Sequence, residues 1–238
     1  MPLPVVLLHA FPLSSRMFEP LRAALPPTLE VITPDYPPSS DLDALADDLA
    51  ATLDAAGVER AIIGGVSMGG YLTMALLRRH RSRAAAIVLA DTKATADSDE
   101  ARANRLRIAQ TLDDEQSDRA LLQEVLPTLI GETTKRDRPA VLKFVADLVS
   151  ATPPSSAAAW QRAMAGRPDS FDTLRATDVP ALVVVGEEDS LAPPEQAAAM
   201  VDALPNATLV SLPAAGHLAA IETPDAFAAA LSKFVGSR

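Results

Sequence analysis

The sequence predicts an α/β fold: a three-layer α/β/α sandwich with a mostly parallel sheet of about six strands and an inserted helical cap. Short apolar runs alternate with longer amphipathic stretches along most of the chain. Most of these runs are continuous, as is typical of strands that a parallel sheet buries on both faces. One block of roughly 80 residues shows helical patterns only, whereas ordinary connections in such folds span about 2–6 residues.

The predicted strands are short and rich in β-branched and other apolar residues. They are Val5–Leu8, Val31–Thr33, Ala61–Val66, Ala85–Leu89, Ala181–Val185 and Thr208–Leu212. Because helical stretches separate them, we expect right-handed crossovers that place helices on both faces of the sheet.

The helices of the sheet layers are predicted from leucine spacing and from end signals. Leucines recur at helical spacing at Leu42, Leu45, Leu49 and Leu53, before a typical C-terminal stop at Gly57. A second helix starts after Ser67 and ends in a basic segment that suits the helix dipole, residues 78–81. Proline in the first turn marks two later helix starts, at Pro194 and Pro224.

The block without strands covers residues 93–176, and we interpret it as a helical cap. The core is then formed by residues 1–92 and 177–238. The helices predicted within the cap are Asp99–Leu112, Asp118–Leu129, Pro139–Ser150 and Pro154–Ala165.

Composition excludes several classes of function. The chain has 21 basic and 31 acidic residues, a net charge of −10, so we expect no nucleic-acid or membrane partner. It has no cysteine, which excludes disulfides, thiolate metal sites and a cysteine nucleophile. No apolar run reaches the roughly 18 residues of a membrane span. The start, Met1–Pro4, does not resemble a signal peptide, so a soluble cytoplasmic protein is the expectation.

The most informative motif is G-x-S-x-G, which reads Gly65-Val66-Ser67-Met68-Gly69. It follows a predicted strand and opens a predicted helix, which is the context of a nucleophile elbow. Such a turn projects the serine hydroxyl above the sheet, and a side chain at either glycine would collide with its neighbours. Ser67 is therefore the candidate nucleophile, and the alternative is a glycine-rich turn with a buried serine.

A serine nucleophile needs a base, and the chain has three histidines. His80 lies among arginines at a helix end and is interpreted as a solvated charge. His9 ends the first strand and is expected to shape a loop. His217 follows the last strand, and sites in parallel sheets form at the carboxyl ends of strands, so His217 is the candidate base.

The base in turn needs an orienting carboxylate. Asp189 follows the strand Ala181–Val185 and precedes the histidine, so the order is Ser67, Asp189, His217. Glu187 and Glu188 lie beside it; we expect both to face solvent and keep Glu188 as the alternative acid.

The remaining site residues are expected around the first strand and in the cap. Backbone N–H groups of Phe11 and Met68 are the candidate oxyanion hole, since Pro12 has no N–H. The predicted substrate-binding residues are Phe11, Met68, Trp160, Leu191 and Leu218, with Phe144 as an alternative to Trp160. Neither a cofactor nor a metal is expected.

Four motifs in order resemble the α/β-hydrolase superfamily: His9-Ala10-Phe11-Pro12, Gly65-Val66-Ser67-Met68-Gly69, Gly186-x-x-Asp189 and Gly216-His217. Together with the closing segment Glu222-Thr223-Pro224, they are similar to small bacterial 3-oxoadipate enol-lactonase-like serine esterases. The resemblance implies the α/β-hydrolase fold and hydrolysis of small esters or lactones. An enol-lactonase would also need a cation for the substrate carboxylate, and Arg162 or Arg167 of the predicted cap is the candidate. Two segments depart from the family pattern, His9-Ala10 and residues 35–40, and we expect these departures to reshape the pocket mouth.

Other activities are compatible with the same residues. A cofactor-free haloperoxidase or perhydrolase and a carbon–carbon bond hydrolase would use the same triad. A binding protein of hydrolase fold without turnover is the alternative from a different class.

Overall fold

The computed structural model describes residues 3–236. The first two and the last two residues of the predicted core therefore lie outside the described residues. Within that range, six parallel strands form one sheet, ordered β2-β1-β3-β4-β5-β6. The strands are β1 (Val5–Leu8), β2 (Val31–Ile32), β3 (Ala61–Val66), β4 (Ala84–Ala90), β5 (Ala181–Gly186) and β6 (Ala207–Leu212). The predicted sandwich with a parallel sheet is confirmed.

The strand order reverses beside β1, which pairs with β2 on one side and with β3 on the other. In an open parallel sheet, a crevice forms at the carboxyl ends of strands where the order reverses. The residues that follow β1 and β3 therefore converge there. The strands β1, β3 and β5 are buried along their whole length, as their continuous apolar runs predict.

The helices are α1 (Glu19–Ala24), α2 (Leu42–Ala55), α3 (Met68–His80), α4 (Asp99–Glu115), α5 (Leu126–Leu129), α6 (Glu132–Asp137), α7 (Pro139–Ser150), α8 (Pro154–Ala165), α9 (Phe171–Arg175), α10 (Pro194–Ala203), α11 (Ala219–Glu222) and α12 (Pro224–Gly236). In one layer, α2 contacts α3, α3 contacts α9, and α9 contacts α10. In the other layer, α1 contacts α12. Across residues 3–236, no helix combines the length and the apolarity needed to cross a membrane.

Charged residues join α2 to the end of α3. Arg78 pairs with Asp43 at 2.8 Å, and Arg79 and His80 both contact Asp47, at 2.6 and 2.7 Å. His80, predicted to be a solvated charge, is thus partly exposed but bonded to a carboxylate. The hydrogen bonds from Arg79 and His80 lower the pKa of Asp47 to about 2.

Between β4 and β5 the described chain is helical, as the sequence predicts, and α4 packs along α8. The predicted helix Asp118–Leu129 is present as a continuous helical segment from residue 119 to Leu129, with a π-helical turn at Leu121–Val125 that leads directly into α5. Pro127 explains the π turn, because it has no N–H to donate an α-helical hydrogen bond to the preceding turn. The short α9 contacts α3 and α10 and so packs in a sheet layer. The division at residues 93 and 176 stays a prediction.

Candidate active site

The turn between β3 and α3 holds Ser67 in a strained backbone conformation. Its φ and ψ angles are 55° and −113°, and its N–H donates to the Ala90 carbonyl at 2.9 Å. A Cβ at Gly65 would lie 2.2 Å from the Gly69 backbone, and one at Gly69 would lie 2.1 Å from the Leu8 carbonyl oxygen. Both positions therefore need glycine, because any side chain there would collide with neighbouring backbone, as is expected of a nucleophile elbow.

Ser67, His217 and Asp189 form one buried hydrogen-bonded chain. The Ser67 Oγ lies 2.7 Å from the His217 Nε2, and the His217 Nδ1 lies 2.8 Å from the Asp189 Oδ2. The other carboxylate oxygen of Asp189 accepts the N–H groups of Leu191 and Ala192, at 2.8 and 2.9 Å. The structure therefore brings together the predicted nucleophile, base and acid, with the acid held by its own loop.

The histidine and the aspartate stabilise each other's charged forms. Burial alone would lower the pKa of His217, but the charge and hydrogen bond of Asp189 outweigh it and raise that pKa. Burial alone would raise the pKa of Asp189, but His217 and two backbone N–H groups hold it below its usual value. An ionised Asp189 can thus orient the imidazole and stabilise its protonated form.

The alternative acid, Glu188, is directed away from the histidine. Its carboxylate accepts the Thr133 N–H at 2.8 Å and the Thr133 hydroxyl, at the start of α6. Glu187 is exposed, as expected. Glu188 therefore links the strand β5 loop to the cap rather than serving the base.

A second buried carboxylate near the triad, Asp91, was missed in the sequence. It follows β4 with a φ of 46°, is fully buried, and accepts the N–H groups of Gly186 and Ala219, both at 2.9 Å. It therefore ties the end of β5 to the segment after His217. Burial, reinforced by the Asp189 charge, raises the pKa of Asp91 to about 7. Its place at a strand end was the available signal.

A third buried carboxylate, Glu222, holds the histidine loop. It accepts the N–H groups of Gly216 and Leu218, at 2.9 and 3.2 Å, on either side of His217. It also accepts the Gly131 N–H of the cap at 3.0 Å. In the sequence this residue stands out only as part of the closing segment, because its partners are backbone N–H groups, which no residue type marks.

Replacing Glu222 by alanine is expected to lower the free energy of unfolding by about 2–4 kcal/mol, since buried N–H groups lose their acceptor. Urea unfolding measures the change, with the exposed Glu59→Ala as the matched control. An unfolding free energy equal to that of the control would show that water replaces the carboxylate without cost.

The backbone N–H groups of Phe11 and Met68 are available as oxyanion donors. In the loop after β1, the Ala10 N–H contacts the Met17 sulfur at 3.1 Å and the Leu13 N–H donates to the Ala10 carbonyl. Within residues 3–236, the Phe11 and Met68 N–H groups donate to no protein atom. Both predicted donors are thus free to bind a developing negative charge.

His9 supports this loop, as predicted, through its ring. It stacks on Tyr36 with 3.9 Å between ring centroids and meets Trp160 edge-on at 5.5 Å. The Tyr36 hydroxyl donates to the His9 carbonyl at 2.6 Å. Burial lowers the pKa of His9 to about 4, so the ring is neutral near pH 7. The unusual segment at residues 35–40 therefore braces the oxyanion loop, and its residues are not part of the cavity lining.

A cavity of about 250 Å³ opens onto Ser67 and His217. Of the predicted substrate-binding residues, Phe11 and Leu191 line it. Trp160 is a correction, because its indole packs on His9 and donates to the Pro37 carbonyl at 3.1 Å. The other predicted residues outside the cavity lining are Met68, Leu218 and the alternative Phe144; the first two are fully buried in the core.

The two arginines proposed as substrate cations also lie outside the cavity lining. Arg162 pairs with Asp113, and Arg167 pairs with Asp97 at 2.8 Å while lying 4.1 Å above the Tyr71 ring. Their charges are thus used within the cap. The lysine and arginine side chains that line the cavity are instead Lys93 and Arg105, and neither was predicted.

The chain is similar to known esterases and to a lactonase. The chain is 29% identical to a pimeloyl-[acyl-carrier protein] methyl ester esterase of Neisseria meningitidis, covering 97% of this chain and 92% of the relative. An esterase from Thermogutta terrifontis, solved with malate bound, is 37% identical with a TM-score of 0.94, covering 99% of this chain and 90% of the other.

The enol-lactonase from Burkholderia xenovorans LB400 is 28% identical with a TM-score of 0.88, covering 99% of this chain and 92% of the other. The alpha/beta hydrolase family matches residues 5–230. The relatives include hydrolytic enzymes, esterases and a lactonase. The chain belongs to the alpha/beta hydrolase family.

Proposed function

We propose that this protein is a serine hydrolase that cleaves carboxylic esters or lactones through an acyl-enzyme on Ser67. The observation that carries the proposal is the unbroken chain from the Ser67 Oγ to the His217 ring and the Asp189 carboxylate, at 2.7 and 2.8 Å. The hydroxyl at its end lines a cavity of about 250 Å³.

In the first step, the Ser67 Oγ attacks the carbonyl carbon while the His217 Nε2 accepts the hydroxyl proton. The resulting tetrahedral oxyanion accepts hydrogen bonds from the Phe11 and Met68 N–H groups. The protonated histidine then gives its proton to the leaving alkoxide. The alcohol departs, or remains tethered as a hydroxyl in a lactone, and the acyl group stays on the serine.

In the second step, water attacks the acyl-enzyme and His217 accepts one of its protons. The oxyanion forms at the same two N–H groups, and its collapse returns the proton from the histidine to the Ser67 Oγ. The carboxylic acid leaves and the enzyme is restored. Asp189 keeps the Nδ1 proton directed toward itself, so the Nε2 remains the acceptor.

The names of the relatives support a substrate with an ester or lactone group, but the particular ester or lactone differs among them. Their names describe a methyl ester esterase, an esterase with malate bound and an enol-lactonase. In the proposed enzyme, the helices of residues 93–176 act as a cap that lines the cavity and selects the substrate, since α4 and α8 both contribute to its wall.

The pH dependence of kcat/KM is expected to have its acid limb above pH 6.5, because His217 acts only when neutral and its pKa is raised. Asp91, whose own pKa is about 7, is only partly ionised in this range. Asp91→Asn removes that partial charge, which favours the protonated histidine, so the acid limb moves slightly to lower pH. The exposed Asp172→Asn serves as the control. An acid limb that stays in place in Asp91→Asn contradicts this electrostatic account.

A panel of p-nitrophenyl esters from acetate to dodecanoate, together with γ- and δ-lactones, tests the proposed function. We expect turnover of the short esters, since the cavity is smaller than the roughly 300–1,000 Å³ of pockets for drug-sized ligands. Turnover restricted to the long esters would contradict the small-substrate assignment. Absence of turnover and of reaction with a fluorophosphonate would favour a binding protein.

A further inference from the structure

Two cationic side chains line the same cavity as Ser67 and His217 and have no role in the proposed acyl transfer. Lys93 follows β4, and Arg105 projects from α4 in the cap. Both were absent from the residues expected around the substrate. Their surroundings decide whether their charge is already neutralised.

The carboxylates of the cavity neutralise these cations only in part. Asp97 accepts the Arg105 Nε at 2.6 Å and the Arg167 Nη2 at 2.8 Å, so one negative charge serves two guanidinium groups. Glu124 pairs with Arg107 where both side chains are about half exposed. A positive excess therefore remains at the cap side of the cavity.

Lys93 adds to this excess, because its ammonium group makes no hydrogen bond or ion pair with residues 3–236. The net charge of the chain is −10, so its overall field repels anions. An unpaired lysine beside an arginine that shares its carboxylate with a second arginine is therefore a local feature of this cavity, and it favours an anionic ligand there.

Protein contacts hold the Arg105 guanidinium in position and leave one of its nitrogens without a protein acceptor. Its Nε is bonded to Asp97, and its Nη1 donates to the buried Gln161 at 3.1 Å. Among the described residues, its Nη2 donates to none. A guanidinium fixed on one side and free on the other loses little side-chain freedom when it binds a carboxylate.

We propose that Lys93 and Arg105 form an anion subsite that selects esters or lactones carrying a carboxylate. The proposal rests on the proposed hydrolase function and specifies its substrate class. An apolar wall also lines the cavity and would accommodate a short hydrocarbon segment between the carboxylate and the reacting carbonyl; it includes Ile108, Val125, Leu129 and Met164. The volume of about 250 Å³ restricts this substrate to a small molecule.

Paired substrates of equal length test this subsite. The first set is the monomethyl esters of succinate to pimelate, each compared with the ester whose free carboxylate is replaced by an amide. The second set places the charge on the alcohol side, in O-acetyl ω-hydroxy acids and their amides. For at least one length, we expect kcat/KM to be about 10- to 100-fold higher for the charged compound, since charge-assisted hydrogen bonds carry this selectivity.

The variants are Lys93→Met and Arg105→Gln, and the control is Lys143→Met, an exposed cap lysine paired with Asp147. We expect the charged-to-amide ratio of kcat/KM to fall about tenfold or more in Lys93→Met and to persist in the control. A wild-type ratio near one at every length and in both sets would overturn the proposal. A ratio that survives in both cavity variants would also overturn it.

Calorimetry on Ser67→Ala protein separates this proposal from the hydrolase function, because binding needs no turnover. We expect a dicarboxylate between succinate and pimelate to bind more tightly than its monoamide, and Lys93→Met in the same background to lose that difference. Equal affinity for the two ligands would overturn the subsite while leaving ester hydrolysis intact. Selective binding without any ester turnover would keep the subsite and reject the hydrolase.

Discussion

Replacing Ser67 by alanine is expected to lower kcat for a short p-nitrophenyl ester by about 10⁴- to 10⁶-fold, because no other group can form the acyl-enzyme. The substitution removes only the Oγ that lies 2.7 Å from the His217 Nε2. The remaining activity would come from the free N–H groups of Phe11 and Met68, which can still stabilise an oxyanion while water attacks directly.

The matched control for this variant is Ser155→Ala, which removes a hydroxyl from an exposed position of α8. We expect this control to retain wild-type kcat, and both variants to unfold at the wild-type urea midpoint. Ser67→Ala protein that is folded and hydrolyses the ester at the wild-type rate would rule out the covalent mechanism.

Replacing Asp189 by asparagine is expected to lower kcat by about 10⁴-fold with little effect on folding. The Asp189 Oδ1 accepts the N–H groups of Leu191 and Ala192, so the asparagine oxygen is retained at that position. The amide nitrogen then faces the His217 Nδ1 and donates to it. The ring proton moves to the Nε2, which can no longer accept the Ser67 proton.

The kinetic measurement is kcat across pH, with Glu188→Gln as a control for a neighbouring carboxylate that does not contact the histidine. We expect the control to retain most of its activity. A loss smaller than about tenfold in Asp189→Asn would contradict the tautomer argument. A large loss in Glu188→Gln instead would reassign the orienting acid.

Much of the fold was predictable because its signals are local. The strands β1, β3 and β5 are buried on both faces, and buried strands are continuous apolar runs in the sequence. The edge strand β2 is shorter than predicted, since Thr33 lies outside it. At a sheet edge, the hydrophobicity of the sequence changes little where a strand ends, so the hydrophobic pattern does not predict that boundary well.

The meeting of Ser67, Asp189 and His217 was predictable for a related reason: each of them follows a strand, and parallel strands bring their carboxyl ends together. Asp91 and Glu222 were not assigned roles, because their partners are backbone N–H groups, some of them far away in the chain. Backbone donors have no residue identity, so no sequence motif marks such a contact.

The pocket was the least predictable part. Trp160 is large and lies in the cap, which suggested a pocket wall, but its partner is the segment at residues 35–40. Lys93 and Arg105 resemble ordinary surface cations in the sequence. Lys93 follows β4 and Arg105 lies on α4, and both line the cavity only because α4 packs along α8, which is a contact between helices distant in the sequence.

The central claim is that Ser67 is an activated nucleophile, and reaction with a fluorophosphonate followed by peptide mass spectrometry tests it most directly. The account predicts one adduct, on Ser67, that forms far more slowly in His217→Ala because the base is missing. An adduct on another residue, or an unlabelled folded protein, would contradict the claim.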